Sequence, residues 1–273
     1  MESIKLTGIG LVLGLTTIIP GLSAGTMAIV FNVYDRLIEI ITPNVKKIFA
    51  AWKFLLPLMI GAVAGILFFS RLVTLLLDNY PIPTYWFFIG LIAGSTPPIY
   101  RRARRPGSAF PSAVAVVCGI LALGAMAAMA VLNPLEDAVS YTVLTPQLFG
   151  MLAASGALAA IALIIPGLSG TFFLLVIGMY RTFVQAVSEL NIPLLIPVAI
   201  GIVAGLLIGA AFVRFLLAKV PGETYGAVLG LLAGSLIVLY PGIESGAAIV
   251  FSAVSLLAGF AISFFSGKQK KSL

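Results

Sequence analysis

The chain has no histidine, one cysteine, and charge on only 9% of its 273 residues. Without histidine, the commonest general base and the commonest metal ligand are both missing. The single cysteine, Cys118, cannot close an intramolecular disulfide and reads as a small buried hydrophobe within an apolar run. A water-facing domain ordinarily carries charge on about a quarter of its residues, so this composition excludes a soluble surface. No carboxylate-rich motif suits a magnesium ion. No metal, no cofactor and no enzymatic activity are therefore expected.

What the chain does have is long apolar sequence. Hydrophobic residues make up 61% of it, and the mean hydropathy is +1.17. Residues 113–132 and 247–265 run without a charge, and about 20 apolar residues suffice for a helix to cross the hydrocarbon core. The amino terminus, with one lysine and one glutamate before its apolar run and no cleavage site, is expected to be retained structure. The net charge of +7 is not a nucleic-acid footprint. It sits in short clusters between apolar runs: Lys46, Lys47 and Lys53; Arg101, Arg102, Arg104 and Arg105; Lys268, Lys270 and Lys271. Basic loops of this kind face the cytoplasm and the acidic phospholipid headgroups there.

An internal repeat organises the rest. Shifted by 140, residues 55–95 lie over 195–235 without a gap, and 19 of 41 positions are identical. Shared apolar composition cannot place Pro81, Thr84, Tyr85 and Ser95 in register with Pro221, Thr224, Tyr225 and Ser235. Upstream, Ile18 to Ser23 and Ile164 to Ser169 both read IIPGLS, each followed by Gly-Thr and later by a tyrosine and an arginine.

Placing the basic clusters inside fixes the direction of each helix. Corresponding helices then run oppositely, so the halves are inverted repeats, as in many secondary transporters. The expected fold is an all-α polytopic membrane protein. Repeat 1 (residues 1–140) has a re-entrant helical hairpin over 6–42 and membrane helices over 54–77, 84–100 and 113–132. Repeat 2 (141–273) has a hairpin over 149–187 and membrane helices over 194–218, 225–240 and 246–266. Both termini are expected inside. The alternative, in which both arms of each hairpin cross fully, gives ten spans and preserves the inversion.

The paired breaks are the candidate site. Pro20-Gly21 and Pro166-Gly167 end one half-helix, and Ser23 or Thr26 can cap the next. A freed helix N-terminus suits an anionic oxygen. A break that only eases packing is the alternative, but interruptions paired between two halves mark transporter binding sites. Arg36 and Arg181 follow on the second arms, where a membrane-depth charge points to function and a guanidinium fits phosphate; snorkelling to the headgroups is the competing account. Asp35, Glu39 and Glu189 are candidate charge partners or coupling groups, the partner role for the nearby arginine being preferred. Arg214 and Arg71 are out of register and are expected to snorkel. Gly61, Gly65, Gly201 and Gly205 form small-xxx-small packing seams.

The segments GLVLGLTTIIPGLSAGTMAIVFNVYDRLIE and IIPGLSGTFFLLVIGMYRTF resemble the PopT family of polyprenyl-phosphate transporters, and the resemblance covers essentially the whole chain. It implies a flippase that moves undecaprenyl phosphate from the outer to the inner leaflet of the cytoplasmic membrane, for reuse in cell-wall synthesis. Carried over residue by residue, it puts Pro20, Gly21, Ser23, Gly25, Thr26 and Arg36 at a headgroup site, with Pro166, Gly167, Ser169, Gly170, Thr171 and Arg181. The second copy lacks Ala24 and the aspartate beside its arginine. The residues alone yield an anion-friendly midplane site, and two other readings stay open beside it. One is a secondary carrier for a small soluble anion. The other is a membrane enzyme acting on polyprenyl phosphates, disfavoured because the chain lacks histidine.

Overall fold

The computed structural model describes residues 2–18, 23–105, 107–131, 141–168, 170, 173–174, 177–242 and 248–267. Among these the chain is helical, with one isolated bridge between Arg104 and Pro111. The first half holds α1 (Glu2–Ile18), α2 (Ala24–Val30), α3 (Tyr34–Ile40), α4 (Val45–Ala50), α5 (Trp52–Asn79), α6 (Pro81–Ala103) and α7 (Ala113–Val131). The second holds α8 (Pro146–Ile164), α9 (Tyr180–Ser188), α10 (Ile192–Lys219), α11 (Pro221–Leu239) and α12 (Ala248–Gly267).

Helix bounds recur with the sequence register. Helix α5 begins and ends 140 residues before α10, and α6 begins 140 before α11. The matched residues explain why. Pro81 and Pro221 stand at the first position of their helices, where a missing N–H costs nothing. The residues before them, Tyr80 and Val220, share one backbone conformation (φ −138°, ψ 56° and φ −139°, ψ 59°). The Thr84 hydroxyl donates to the Tyr80 carbonyl at 2.6 Å, and Thr224 does the same to Val220 at 2.8 Å. Each corner is thus closed locally by residues that the repeat keeps in place.

Helix pairing follows the repeat as well. Helix α1 lies along α5 and α8 along α10, while α6 packs on α12 and α11 on α7. Each half therefore lends its last helix to the other, and α6 meets α11 at the centre. Glycines set the spacing, as expected for small-residue seams. A Cβ at Gly61 would overlap the Thr7 carbonyl, and one at Gly201 would overlap that of Ala153.

Among the described residues, four helical segments are long and apolar enough to cross a membrane: Trp52–Phe69, Pro146–Ile164, Ile192–Lys219 and Pro221–Leu239. Shorter apolar helices cover Ala113–Met129 and Ile249–Phe265. The large apolar side chains of α5, α7, α10 and α12 are broadly exposed, an outer surface fitted to lipid. The chain is a multi-pass membrane protein. Helix α6 is not among the four, because it carries threonine, serine, internal prolines and arginines. It is instead extensively buried between other helices.

The segment that follows the first break, residues 24–40, is not one continuous helix. It is two seven-residue helices, α2 and α3, separated at Asn32, whose φ is +57°. In the second copy Gly178 (φ +73°) holds the equivalent place, two residues before Tyr180 as Asn32 is two before Tyr34. Asparagine and glycine are the residues that tolerate this left-handed conformation. The Asn-x-Tyr and Gly-x-Tyr spacing was therefore a legible second break.

Replacing Gly201 by valine is expected to lower the melting temperature of the detergent-purified protein markedly, since overpacking a tight contact costs about 1–3 kcal/mol. Gly124→Ala, where a Cβ meets no atom within 4 Å, should leave the melt unchanged or raise it slightly. Equal melts for the two variants would dismiss the seam.

Candidate functional site

The first break contributes Ser23, Gly25 and Thr26. Ser23 has the extended backbone of an N-cap (φ −93°, ψ 128°), and its carbonyl accepts from the Thr26 N–H at 3.0 Å. The expected side-chain cap is absent. Both the Ser23 and the Thr26 hydroxyl are buried with no hydrogen-bond partner among the described residues. A buried hydroxyl left unpaired costs about 1–3 kcal/mol, which most such groups avoid. Two within four residues is an unusual concentration.

These hydroxyls sit beside the helix end that leads into the second break. A Cβ on Gly25 would lie 3.2 Å from the Ile164 carbonyl and 3.5 Å from that of Leu163, both in the last turn of α8. The Tyr34 hydroxyl donates to the same Ile164 carbonyl at 2.9 Å. The first break thus faces the end of the helix that leads into the second. The start of α2 is set against C-terminal carbonyls, whose partial charge is opposite to its own.

Beyond that helix end, Pro166 and Gly167 are buried, and Gly167 takes φ +88° against Leu231. The Gly167 carbonyl accepts from the Ser235 hydroxyl at 3.0 Å, so a serine shared by both repeats anchors the second break. Gly170 approaches the α8 backbone, where a Cβ would stand 2.6 Å from the Ala159 carbonyl. Pro20, Gly21, Ser169 and Thr171 lie outside the described residues.

The arginines are not at the breaks. Arg36 stands at the start of α1, 4.0 Å from Glu2, with its guanidinium 4.3 Å from the centre of the Phe54 ring. Helix α1 is roughly 25 Å long, so Arg36 and the Ser23 region occupy opposite ends of it. Arg181 is exposed and makes no ion pair among the described residues. Glu189 is exposed and accepts from the Gln185 amide at 2.7 Å, and Glu39 is exposed on α3.

Asp35 departs from the expectation that it neutralises the neighbouring arginine. Its partner is Arg102, at 3.1 Å, from the end of α6. The same guanidinium donates to the Tyr225 hydroxyl at 2.7 Å and to the Asn32 side-chain oxygen at 3.0 Å. Arg102 thereby ties α3 and α6 of the first half to α11 of the second. In sequence it reads as one loop cation among four; only its place at a helix end beside three others distinguishes it. Arg214 does not snorkel as expected. Its guanidinium donates to the Ile38 carbonyl and, at 2.6 Å, to that of Ile41, closing the end of α3.

Two cavities accompany this frame. One of about 640 Å³ lies between the end of α5 and the starts of α6 and α12; its lining is mostly apolar, including Leu15, Val73, Phe87, Phe88 and Phe251. The other, about 630 Å³, lies at the opposite end of α5 and includes Arg36 and Lys53. The unpaired hydroxyls and the apolar cavity together suit an amphiphile with a polar head.

Residues 13–256 match the model of the undecaprenyl phosphate translocase-like family. The chain belongs to that family. A polyprenyl-phosphate transporter of Vibrio cholerae is 32% identical over 247 residues, covering 85% of this chain and 76% of its own. A polyprenyl-phosphate transporter of Staphylococcus aureus is 30% identical over 268 residues, covering 95% and 94%. No solved structure matches the chain. The sequence-based assignment to polyprenyl-phosphate transporters is thereby borne out.

The Arg102 junction makes a measurable claim about this family member. In a double-mutant cycle of Asp35→Asn with Arg102→Gln, read as thermal stability, coupling should be at most about 1 kcal/mol, because Asp35 is 56% exposed. Tyr225→Phe, which removes a more sheltered bond, should cost about 1–2 kcal/mol. A Tyr225→Phe protein as stable as the parent would mean that the junction does not hold the halves together.

Proposed function

We propose that this protein moves undecaprenyl phosphate from the outer to the inner leaflet of the cytoplasmic membrane, returning a carrier lipid for reuse. The observation that carries the proposal is the pair of buried hydroxyls at Ser23 and Thr26, unpartnered among the described residues and set beside the helix end that leads into the second break. A phosphate passing this point would supply the acceptor both hydroxyls lack. Hydroxyl donors held away from water stabilise an anionic oxygen more than they would at a surface. The printed names of the two relatives supply the substrate class.

The architecture we infer is two inverted repeats, each with a re-entrant hairpin and three membrane helices. The exchange of helix partners between halves supports it, as does the division of the first hairpin's second arm into two pieces of roughly 10 Å, neither able to cross alone. Residues of α1, α3, α5 and α6 that meet through Arg36 and Arg102 put the Lys46–Lys53 and Arg101–Arg105 clusters at one end of the molecule. That end is the cytoplasmic one in our reading, with both termini inside.

In this mechanism the phosphate moves along the hairpin while the isoprenoid tail stays in hydrocarbon. The 640 Å³ apolar cavity beside Leu15, one turn before the first break, gives the tail a place next to the headgroup route. A carrier for a small soluble anion has no use for such a cavity. Arg36 and Arg181 attend the phosphate at the two ends of the route. Gly25 and Gly167 keep the breaks narrow, and Asp35, Glu39 and Glu189 balance charge along the arms.

In vesicles reconstituted with the pure protein, Ser23→Ala combined with Thr26→Val should slow headgroup translocation of a prenyl monophosphate at least tenfold. That is the expected loss of about 1.5–3 kcal/mol from hydrogen bonds to a charged group. The same variant should melt no lower than the parent, since it removes buried hydroxyls that bond to nothing in the folded chain. Parent-rate translocation by the double variant would reject the breaks as the route.

A further inference from the structure

We infer that the 630 Å³ cavity at the amino-terminal end of α5 is a docking station for a prenyl monophosphate, with Arg36 and Lys53 as its phosphate ligands. Arg36 and Arg102 both stand at this end of the molecule, and their surroundings differ. Arg102 is engaged: its guanidinium serves Asp35, Tyr225 and Asn32. Arg36 makes no hydrogen bond among the described residues and has one distant counter-ion, Glu2, at 4.0 Å. Both members of that pair are about half exposed, so the contact holds Arg36 weakly.

What fixes Arg36 is the ring beneath it. Phe54 is 2% exposed, and the guanidinium lies 4.3 Å from the ring centre. An immobile aromatic under a guanidinium orients its plane while leaving the N–H edge free for a planar or tetrahedral oxyanion. Lys53 lines the same cavity, its ammonium 5.9 Å from the centre of the Trp52 ring, and adds a second cation. Glu2 also lines it and acts as a counter-ion that an incoming phosphate displaces.

The apolar lining continues the site toward lipid. Trp52, Leu56 and Ile60 recur at every fourth residue of α5, so they share one helix face, and each is more than half exposed. They form a strip about 12 Å long leading away from the cations. A charged head with an extended hydrocarbon tail fits this arrangement; a free anion uses only its mouth.

The station belongs to one half alone. The 140-residue register sets Leu194 opposite Phe54 and Pro193 opposite Lys53. Arg181 therefore lacks both the aromatic support and the second cation that Arg36 has. The two ends of the route are built with unequal affinity for the headgroup, the tighter one at the end that bears the basic clusters.

The identity of the lipid rests on the transport reading, and the test separates the two. The full chain in nanodiscs is titrated with labelled farnesyl monophosphate, against phosphatidylglycerol and inorganic phosphate as competitors. Arg36→Gln and Lys53→Gln should each weaken binding about tenfold. Glu2→Gln should tighten it a few-fold, a gain that misfolding cannot produce and that loss of a merely structural ion pair would not give. Neither competitor should displace the probe at equal concentration. Parent-like binding by the arginine and lysine variants overturns the station, as does equal competition by either competitor. A parent that binds the probe through Arg36 and Lys53 but never moves it across vesicles upholds the station and defeats the transport reading.

Discussion

A helix interrupted inside a bilayer must have its freed backbone groups enclosed by protein or met by water, because hydrocarbon offers them nothing. The re-entrant architecture that we propose rests on that constraint. Helix α2, which follows the first break, is buried along nearly its whole length and touches α1, α3, α6, α8 and α12. The wall around it closes tightly because the four long helix pairs meet along glycines, so that backbones approach where side chains would hold them apart. The exchange of last helices between halves completes the enclosure: α12 of the second half reaches α2 of the first.

Within that enclosure most polar groups are satisfied. Tyr34 serves Ile164, Ser235 serves Gly167, and Arg214 closes the end of α3. Among the described residues four buried hydroxyls lack a partner, those of Ser23, Thr26, Ser252 and Ser263, and only the first two lie together beside a break. The carbonyls on either side are satisfied and these two donors are not, at a cost in stability, and our proposal gives them an anion as partner.

The halves are alike in frame and unlike in charge. Corner prolines, threonines and left-handed residues repeat faithfully, and these set helix bounds. The Asp35–Arg102–Tyr225 junction and the Phe54-supported arginine do not repeat, since Gly242, Arg181, Leu194 and Pro193 hold the corresponding places or their neighbours. Duplication supplied a symmetric scaffold, and later divergence of a few side chains made its two ends chemically different.

Membrane residence, the duplication and the helix corners were readable in the linear chain, because each rests on local pattern: apolar length, register, or a proline followed by a threonine that bonds the previous turn. The second break at Asn32 was readable too, in its two-residue spacing from Tyr34, but the apolar run around it masks the signal. Which charge meets which was not. Asp35 is adjacent to Arg36 yet pairs with Arg102, 67 residues away, and Arg36 finds Glu2 and Phe54. Ser23 and Thr26 have the spacing of a cap and make none. Such pairings are decided only when distant helix ends converge, since a side chain's partner depends on where the fold delivers other groups in space.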